Sequence, residues 1–226
     1  MSTTRANPLC ACIFDFDGVV VDSKPVHAEA KRQTLDQYRI AYSPTIFDVF
    51  KGRTDVDFFE HVAARLSSTG PDAATLLTEK RRRYLSLVAD VQLMPGFKAF
   101  LELARRRFDR LGIATSATRS DFDLVARRHT FLGSIDAVVT SDDTTRSKPD
   151  PEPYRAVMAR LAVEPTEVLV IEDSPNGVRS AAAAGAYVVA LATAFDPIDL
   201  ATAGANLVVA DFQALARELD DLLDGR

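Results

Sequence analysis

Cysteine, long apolar runs and excess positive charge are all scarce in this chain of 226 residues. Its two cysteines, Cys10 and Cys12, stand two apart on one predicted strand, where they do not easily form a disulfide or a four-ligand metal site. They favour strand packing in a reducing compartment. No apolar run approaches the length of a membrane span, and Met1–Arg5 lacks the apolar core of a secretory signal. We therefore expect a cytoplasmic location and no membrane partner.

The charge balance gives no indication of a nucleic-acid partner. The formal net charge is -5, and the arginines are interleaved with acids along helical patterns. Hydrophobic residues make up 47% and charged residues 26% of the chain, as in ordinary globular proteins. The length allows one large domain, or one domain with an insertion, and we expect a monomer or dimer.

The residues from Ile13 to Ser23 predict a buried strand that ends in acids and a glycine. Alternation along a strand places Asp15 and Asp17 on one side, with the two phenylalanines on the other, and Gly18 permits a tight turn. Two close carboxylates repel each other unless one is protonated or a cation such as Mg²⁺ lies between them. The alternative is an ordinary strand end with solvated acids.

The remaining pattern divides the chain into two parts. Residues 22–93 predict a helical cap domain inserted into an α/β core domain made of residues 1–21 and 94–226. The core alternates strands and helices, which predicts a doubly wound, mainly parallel Rossmann-like sheet. The expected cap helices are 26–38, 43–50, 55–66 and 71–88, and the expected later strands are 110–115, 137–140, 168–172, 187–191 and 207–209.

Polar residues follow three of these later strands, at the edge where an open α/β sheet binds its ligands. Ser116 precedes a helix whose first N–H groups could hold an anion, although serine is also an ordinary helix cap. Lys148 stands in a proline-rich loop, either as a fixed positive charge or as a solvated turn residue. Glu172 and Asp173 end a continuous apolar strand, which favours a metal site shared with the first strand over simple helix capping.

Together these segments resemble the four motifs of the haloacid dehalogenase superfamily. The match consists, in order, of Asp15-Phe16-Asp17-Gly18-Val19, Ser116, Lys148-Pro149 and Glu172-Asp173. The helical insertion and the segment Asp22-Ser23-Lys24-Pro25-Val26-His27 resemble the phosphatase and β-phosphoglucomutase-like branch of that superfamily. The resemblance spans nearly the whole chain.

The resemblance implies a reaction that passes through an aspartyl-phosphate. Asp15 would attack phosphorus, and Asp17 would protonate the leaving oxygen and later activate water. Mg²⁺ would be bound by Asp15, by the backbone carbonyl of Asp17 and by Asp173, with Glu172 acting through water. The insertion would supply specificity by closing over a small phosphorylated metabolite.

The resemblance also implies a phosphate-binding set. Ser116 and the N–H of Ala117 would bind phosphate oxygens, and Lys148 would offset the repulsion between the nucleophile and the phosphoryl group. An aspartate with its ordinary pKa of about 3.9 is ionised at neutral pH. The assigned roles therefore require a low pKa for Asp15 and a raised one for Asp17.

Four further residues are candidates for substrate contact. Each also has a structural explanation, because a lone helical histidine and basic residues around a glycine turn are common in proteins without any ligand role. The candidates are His27, Lys51, Arg53 and Arg119.

These residues favour hydrolysis of a small phosphomonoester, such as a sugar phosphate. Phosphosugar mutase activity is the alternative, although Asp55 stands where the β-phosphoglucomutase pattern has an arginine, and Arg53 would have to compensate. Dehalogenation is disfavoured, because the dehalogenase branch lacks an acid at the position of Asp17. A non-catalytic phosphate-binding module of the same fold is the alternative from another class.

Overall fold

The structure, a computed structural model, describes residues 9–50, 54–66, 70–88 and 91–224. It divides the chain into two units, one comprising Met1–Asp22 and Gln92–Arg226 and the other Ser23–Val91. The first unit carries the sheet, and the named elements of the second are helices. Among the described residues, no helix combines the length and apolar character that crossing a membrane requires.

The first unit is built on a parallel sheet of six strands in the order β3-β2-β1-β4-β5-β6. The order reverses between β1 and β4, and ligands of open α/β sheets bind beyond the carboxyl ends of the strands at such a reversal. The predicted doubly wound parallel sheet is confirmed. Its strands are β1 (Ala11–Phe14), β2 (Arg110–Ala114), β3 (Ala137–Val139), β4 (Val168–Glu172), β5 (Tyr187–Leu191) and β6 (Leu207–Val209).

The helices follow the order that the sequence predicts, except that a further helix lies between β5 and β6. Those of the second unit are α1 (Lys24–Gln37), α2 (Ile46–Val49), α3 (Asp55–Ala63) and α4 (Ala73–Leu87). Those of the first unit are α5 (Phe97–Arg107), α6 (Arg119–Ala126), α7 (Glu152–Leu161), α8 (Pro175–Ala184), α9 (Pro197–Thr202) and α10 (Phe212–Asp224).

The two faces of the sheet are packed with different side chains. One face is aliphatic, with Ile13 and Val170 in a buried cluster with Val157 of α7 and Val178 of α8. The other face is aromatic, and the ring of Phe14 meets neighbouring phenylalanines of α5 edge-on at 5.6 and 6.3 Å between centroids. Since β1 is covered on both faces, its direction is fixed, and the residue that follows it has a defined position.

The two chain segments that lead out of and back into the first unit lie side by side. Val21 and Leu93 form an antiparallel bridge. The N–H of Asp22 donates to the carbonyl of Gln92 at 2.9 Å, and the N–H of Met94 donates to Val20 at the same distance. The chain therefore leaves the first unit and returns to it at the same point.

The second unit joins its helices by an apolar cluster and an ionic one. Leu35, Phe58 and Leu76 bring α1, α3 and α4 together at the apolar cluster. In the ionic cluster, Asp55 pairs with Lys80 at 2.6 Å and with Lys31 at 3.0 Å, and Lys80 is only 5% exposed. The acid that replaces the expected arginine is thus offset by two lysines.

Replacing Asp55 with asparagine is expected to lower the free energy of unfolding by about 1–2 kcal/mol near neutral pH, because a buried lysine then loses its counter-charge. Burial alone raises the pKa of Asp55, but the charges of Lys80 and Lys31 outweigh it and lower the pKa to about 2. This value lies below that of the unfolded chain, so the stabilisation is complete above about pH 4 and is lost as the pH falls through about 2.

Urea titrations at neutral and acidic pH measure this difference. The matched control is Asp36→Asn, which breaks the exposed pair between Asp36 and Arg32 in the same unit and should change stability little. Equal losses in the two variants, or a loss from Asp55→Asn that persists in acid, would contradict the assigned role of the ionic cluster.

Candidate active site

Three carboxylates meet where the strand order reverses. Asp15 follows β1, Glu172 ends β4 and Asp173 follows it, and one carboxylate oxygen of each lies within 4.8 Å of the others. The N–H of Asp15 donates to the carbonyl of Ile171 at 2.9 Å, so the pairing of β1 with β4 extends one residue beyond the strand. All three side chains belong to buried residues. The sheet therefore concentrates negative charge at this edge.

Lys148 supplies positive charge within this cluster. Its ammonium donates to Asp15 Oδ1 at 2.5 Å and to Glu172 Oε1 at 2.7 Å. It also contacts the Tyr154 hydroxyl at 3.0 Å and the carbonyl of Ala114 at 3.1 Å. One cation therefore connects the ends of β1, β2 and β4 with α7.

The loop that carries Lys148 is tied at both sides. Glu152, in the first turn of α7, accepts hydrogen bonds from the N–H groups of Thr145 at 2.7 Å and Arg146 at 3.1 Å. On the other side, the hydroxyl of Ser180 donates to the carbonyl of Asp150 at 2.6 Å. These bonds add to the stiffness that the prolines predict, so the position of the ammonium is set by the fold.

Glu172 has no unused hydrogen-bonding capacity. Its Oε1 accepts from Lys148 and from the Tyr154 hydroxyl, and its Oε2 accepts from Asp173 N–H at 2.9 Å and from both N–H and hydroxyl of Ser174. The carboxylate also lies against Gly177 of α8, where an added Cβ would fall 1.8 Å from Oε1. Only glycine leaves room for it there.

Glu172 and Asp15 both bond Lys148, but their surroundings shift their pKa values in opposite directions. Burial raises the pKa of Glu172, but the charge and hydrogen bonds of Lys148, with those from Tyr154 and Asp173 N–H, outweigh it and lower the pKa. For Asp15, burial and the charge of Glu172 outweigh Lys148, and the pKa is raised well above its ordinary value. The structure thus opposes the ionisation of Asp15 that its ordinary pKa predicts.

The composition of the cluster fits a hard divalent cation. Three carboxylates and one ammonium leave two negative charges in excess when all are ionised. Carboxylate oxygens are the ligands that Mg²⁺ prefers, and a cation beside Asp15 and Asp173 would favour the ionised form of both. Since Glu172 is already fully hydrogen-bonded, Asp15 and Asp173 are the carboxylates that could hold the ion directly.

The end of β2 places hydroxyl groups beside this cluster. Thr115 is buried and its Oγ1 accepts from the N–H of Ala117 at 3.0 Å, whereas Ser116 is exposed. Thr115 and Ser116 both line a cavity of about 130 Å³ that is rich in hydroxyl groups. The predicted N–H donor of Ala117 is therefore already engaged with Thr115, a residue that the sequence analysis did not single out.

A sequence profile of the haloacid dehalogenase-like hydrolases matches residues 12–191. The chain belongs to this family. A phosphorylated carbohydrates phosphatase from Thermotoga maritima is 31% identical to this hydrolase, over 77% of this chain and 81% of the relative. The β-phosphoglucomutase of Bacillus subtilis is 26% identical over 92% of each chain. A solved haloacid dehalogenase hydrolase of family IA, variant 3, from Entamoeba histolytica has a TM-score of 0.82 and 26% identity, covering 95% of this chain and 99% of that one.

The group of three carboxylates that the hydrolase forms at the reversal point consists of Asp15, Glu172 and Asp173, and Asp17 is not a member of it. The strand β1 ends at Phe14, so Asp17 lies beyond the strand that the sequence predicts, where it forms an isolated bridge with Val21. Its neighbour Gly18 has a φ of 92°, a conformation that favours glycine, and its N–H donates to Val21 at 2.7 Å. The acid–base role of Asp17 is a prediction.

The four candidates for substrate contact have varied surroundings in the hydrolase. His27 Nδ1 lies 2.8 Å from Lys80 Nζ, and its ring stacks on Tyr84. Arg119 bonds the carboxylate of Asp143 at 3.0 Å and a backbone carbonyl, so its side chain is tied to the core unit. The other two candidates, Lys51 and Arg53, lie outside the described residues.

Replacing Gly177 with alanine is expected to displace the Glu172 carboxylate and lower the free energy of unfolding by about 1–3 kcal/mol through overpacking. Urea titration measures the effect. The matched control is Gly133→Ala, where an added Cβ meets no atom within 4 Å. Similar stability of the two variants would mean that Glu172 does not lie against α8.

Proposed function

We propose that this hydrolase of phosphate monoesters removes phosphate from a small phosphorylated sugar or similar metabolite, using Mg²⁺ and an aspartyl-phosphate on Asp15. The observation that carries the proposal is the buried Asp15 at the strand reversal, held by Lys148 and facing the acids of β4. One relative, from Thermotoga maritima, is a phosphatase of phosphorylated carbohydrates, which supports the substrate class.

Asp15 is the proposed nucleophile. A carboxylate oxygen of Asp15 forms a bond to phosphorus as the bond from phosphorus to the substrate oxygen breaks. Lys148 lies 2.5 Å from Asp15 Oδ1, so its positive charge is available to a phosphoryl group that approaches this carboxylate. Hydroxyl and backbone groups from Thr115 to Ala117 are the proposed partners of the phosphoryl oxygens.

Asp17 is the proposed acid and base. It would protonate the departing oxygen of the substrate and then take a proton from the water that attacks the aspartyl-phosphate. It stands two residues after Asp15, directly before the turn that Gly18 permits. It is not one of the three acids whose carboxylates cluster together, which supports a role different from metal binding through the side chain.

Asp15, Asp173 and the backbone carbonyl of Asp17 would hold the metal ion. Bound Mg²⁺ would offset negative charge on the phosphoryl group and on the nucleophile. The saturated hydrogen bonding of Glu172 supports an action through water or through Lys148 instead of direct ligation.

Phosphate release from a panel of sugar phosphates, phosphoglycolate and nucleotides is expected with Mg²⁺ and not with chelator. The Asp15→Asn variant is the control, since it keeps the shape of the side chain and removes the nucleophile, and it should abolish release. The panel includes β-glucose 1-phosphate with a trace of bisphosphate, assayed for glucose 6-phosphate.

Each other outcome of this panel assigns a different activity. Isomerised sugar phosphate without free phosphate would identify a mutase. Phosphate binding without turnover would identify a non-catalytic module. Wild-type-like release by Asp15→Asn would exclude the covalent route.

The Asp17→Asn variant is expected to form the aspartyl-phosphate and to break it down slowly. The amide cannot accept the proton from water, whereas an activated substrate with a good leaving group needs no acid for the first step. Rapid-quench trapping of labelled phosphoenzyme measures both steps. Equal slowing of the two steps with such a substrate would contradict the acid–base assignment.

A further inference from the structure

The hydroxyl of Tyr154 lies inside the charged cluster, although Tyr154 belongs to none of the four sequence motifs. It stands in the first turn of α7 and is fully buried. Its oxygen is 2.7 Å from Glu172 Oε1 and 3.0 Å from Lys148 Nζ, and the same ammonium lies 4.7 Å from the centre of the ring. A phenol that contacts both partners of a buried ion pair is placed to orient them.

The direction of these hydrogen bonds follows from the groups involved. An ammonium only donates, so Lys148 donates to the Tyr154 oxygen, and the single phenolic proton is left for Glu172. Burial, followed by the charges of Glu172 and Asp15, raises the pKa of Tyr154 well above its ordinary value. The phenol therefore stays protonated and keeps this order of donors and acceptors.

The phenol and α8 hold Glu172 from two sides. Tyr154 and Lys148 are the donors to Oε1, while Asp173 N–H and Ser174 hold Oε2 beside Gly177. Without the phenolic proton, Oε1 would keep Lys148 as its one donor among these contacts, and Lys148 would lose one of four acceptors. The ammonium would then be drawn toward Glu172 and away from Asp15.

We propose that Tyr154 is a positioning residue that keeps the Lys148 ammonium on Asp15 by orienting Glu172, a role that rests on the proposed phosphatase function. Tyr154 would act through its contacts with Lys148 and Glu172. Its contribution is expected in the binding of the phosphoryl group, because Lys148 is the residue whose position it sets. The ring of Tyr154 packs in the core and against the ammonium, whereas the hydroxyl makes the hydrogen bond to Glu172, so removing the hydroxyl alone separates this role from packing.

The test is Tyr154→Phe, which keeps the ring and removes the hydroxyl. The inhibition constant of inorganic phosphate and the KM of the best sugar phosphate are expected to rise about three- to tenfold, the size of one hydrogen bond to a charged network, with a smaller change in kcat. The matched control is Tyr187→Phe, which removes a phenol from the amino end of β5, whereas the site lies at the carboxyl ends of the strands, and it should leave both constants unchanged.

A second variant tests the same link from its other end. In Glu172→Gln the charge that draws Lys148 is gone, so adding Tyr154→Phe should raise the phosphate constant less than it does in the wild type. Additive effects, or a Tyr154→Phe variant with lower thermal stability and an unchanged phosphate constant, would overturn the positioning role. A wild-type protein that neither hydrolyses nor binds phosphate would instead overturn the proposed function, and the role with it.

Discussion

A single buried ammonium, shared between two carboxylates from different strands, sets the properties of this site. Lys148 holds Glu172 in its ionised form and leaves Asp15 with too little positive charge to offset its burial. A further cation at Asp15 and Asp173 would restore the balance, which links the loop of Lys148 to metal binding. The hydrogen bonds of Glu152 hold that loop in place, and they therefore help to set the position of the Lys148 ammonium in the site.

The fold could be predicted largely from apolar runs and their boundaries. The strands at 168–172 and 187–191 form where predicted, because continuous β-branched stretches bounded by polar residues have few alternatives. The helix expected at 43–50 is only Ile46–Val49, since periodicity does not fix ends in a short segment. The helix Pro197–Thr202 was not predicted, because six residues hold too little of the period to be recognised.

The sequence predicts the site residues that lie at strand ends, but it does not predict those that join the site only through the packing of their side chains. Parallel order brings Asp15, Glu172 and Asp173 to one edge, and each follows an apolar run in the sequence. Tyr154 has the spacing of a core residue, and only the packing of α7 shows that its hydroxyl reaches Glu172. Likewise, the sequence cannot tell which hydroxyl after β2 is buried, and the buried one is Thr115.

The two segments that lead out of and back into the first unit are paired with each other, so the fold of this unit does not depend on the length of the insertion. A hydrogen bond joins Asp22 to Gln92, so the two ends of the insertion are held together at the core. The core has the same geometry at this point whatever number of residues lies between them. The entropy of closing a loop rises slowly with its length, so a longer or shorter insertion would change the stability of the sheet little. Such a junction allows one insertion to be exchanged for another during evolution while the residues that carry the chemistry keep their register.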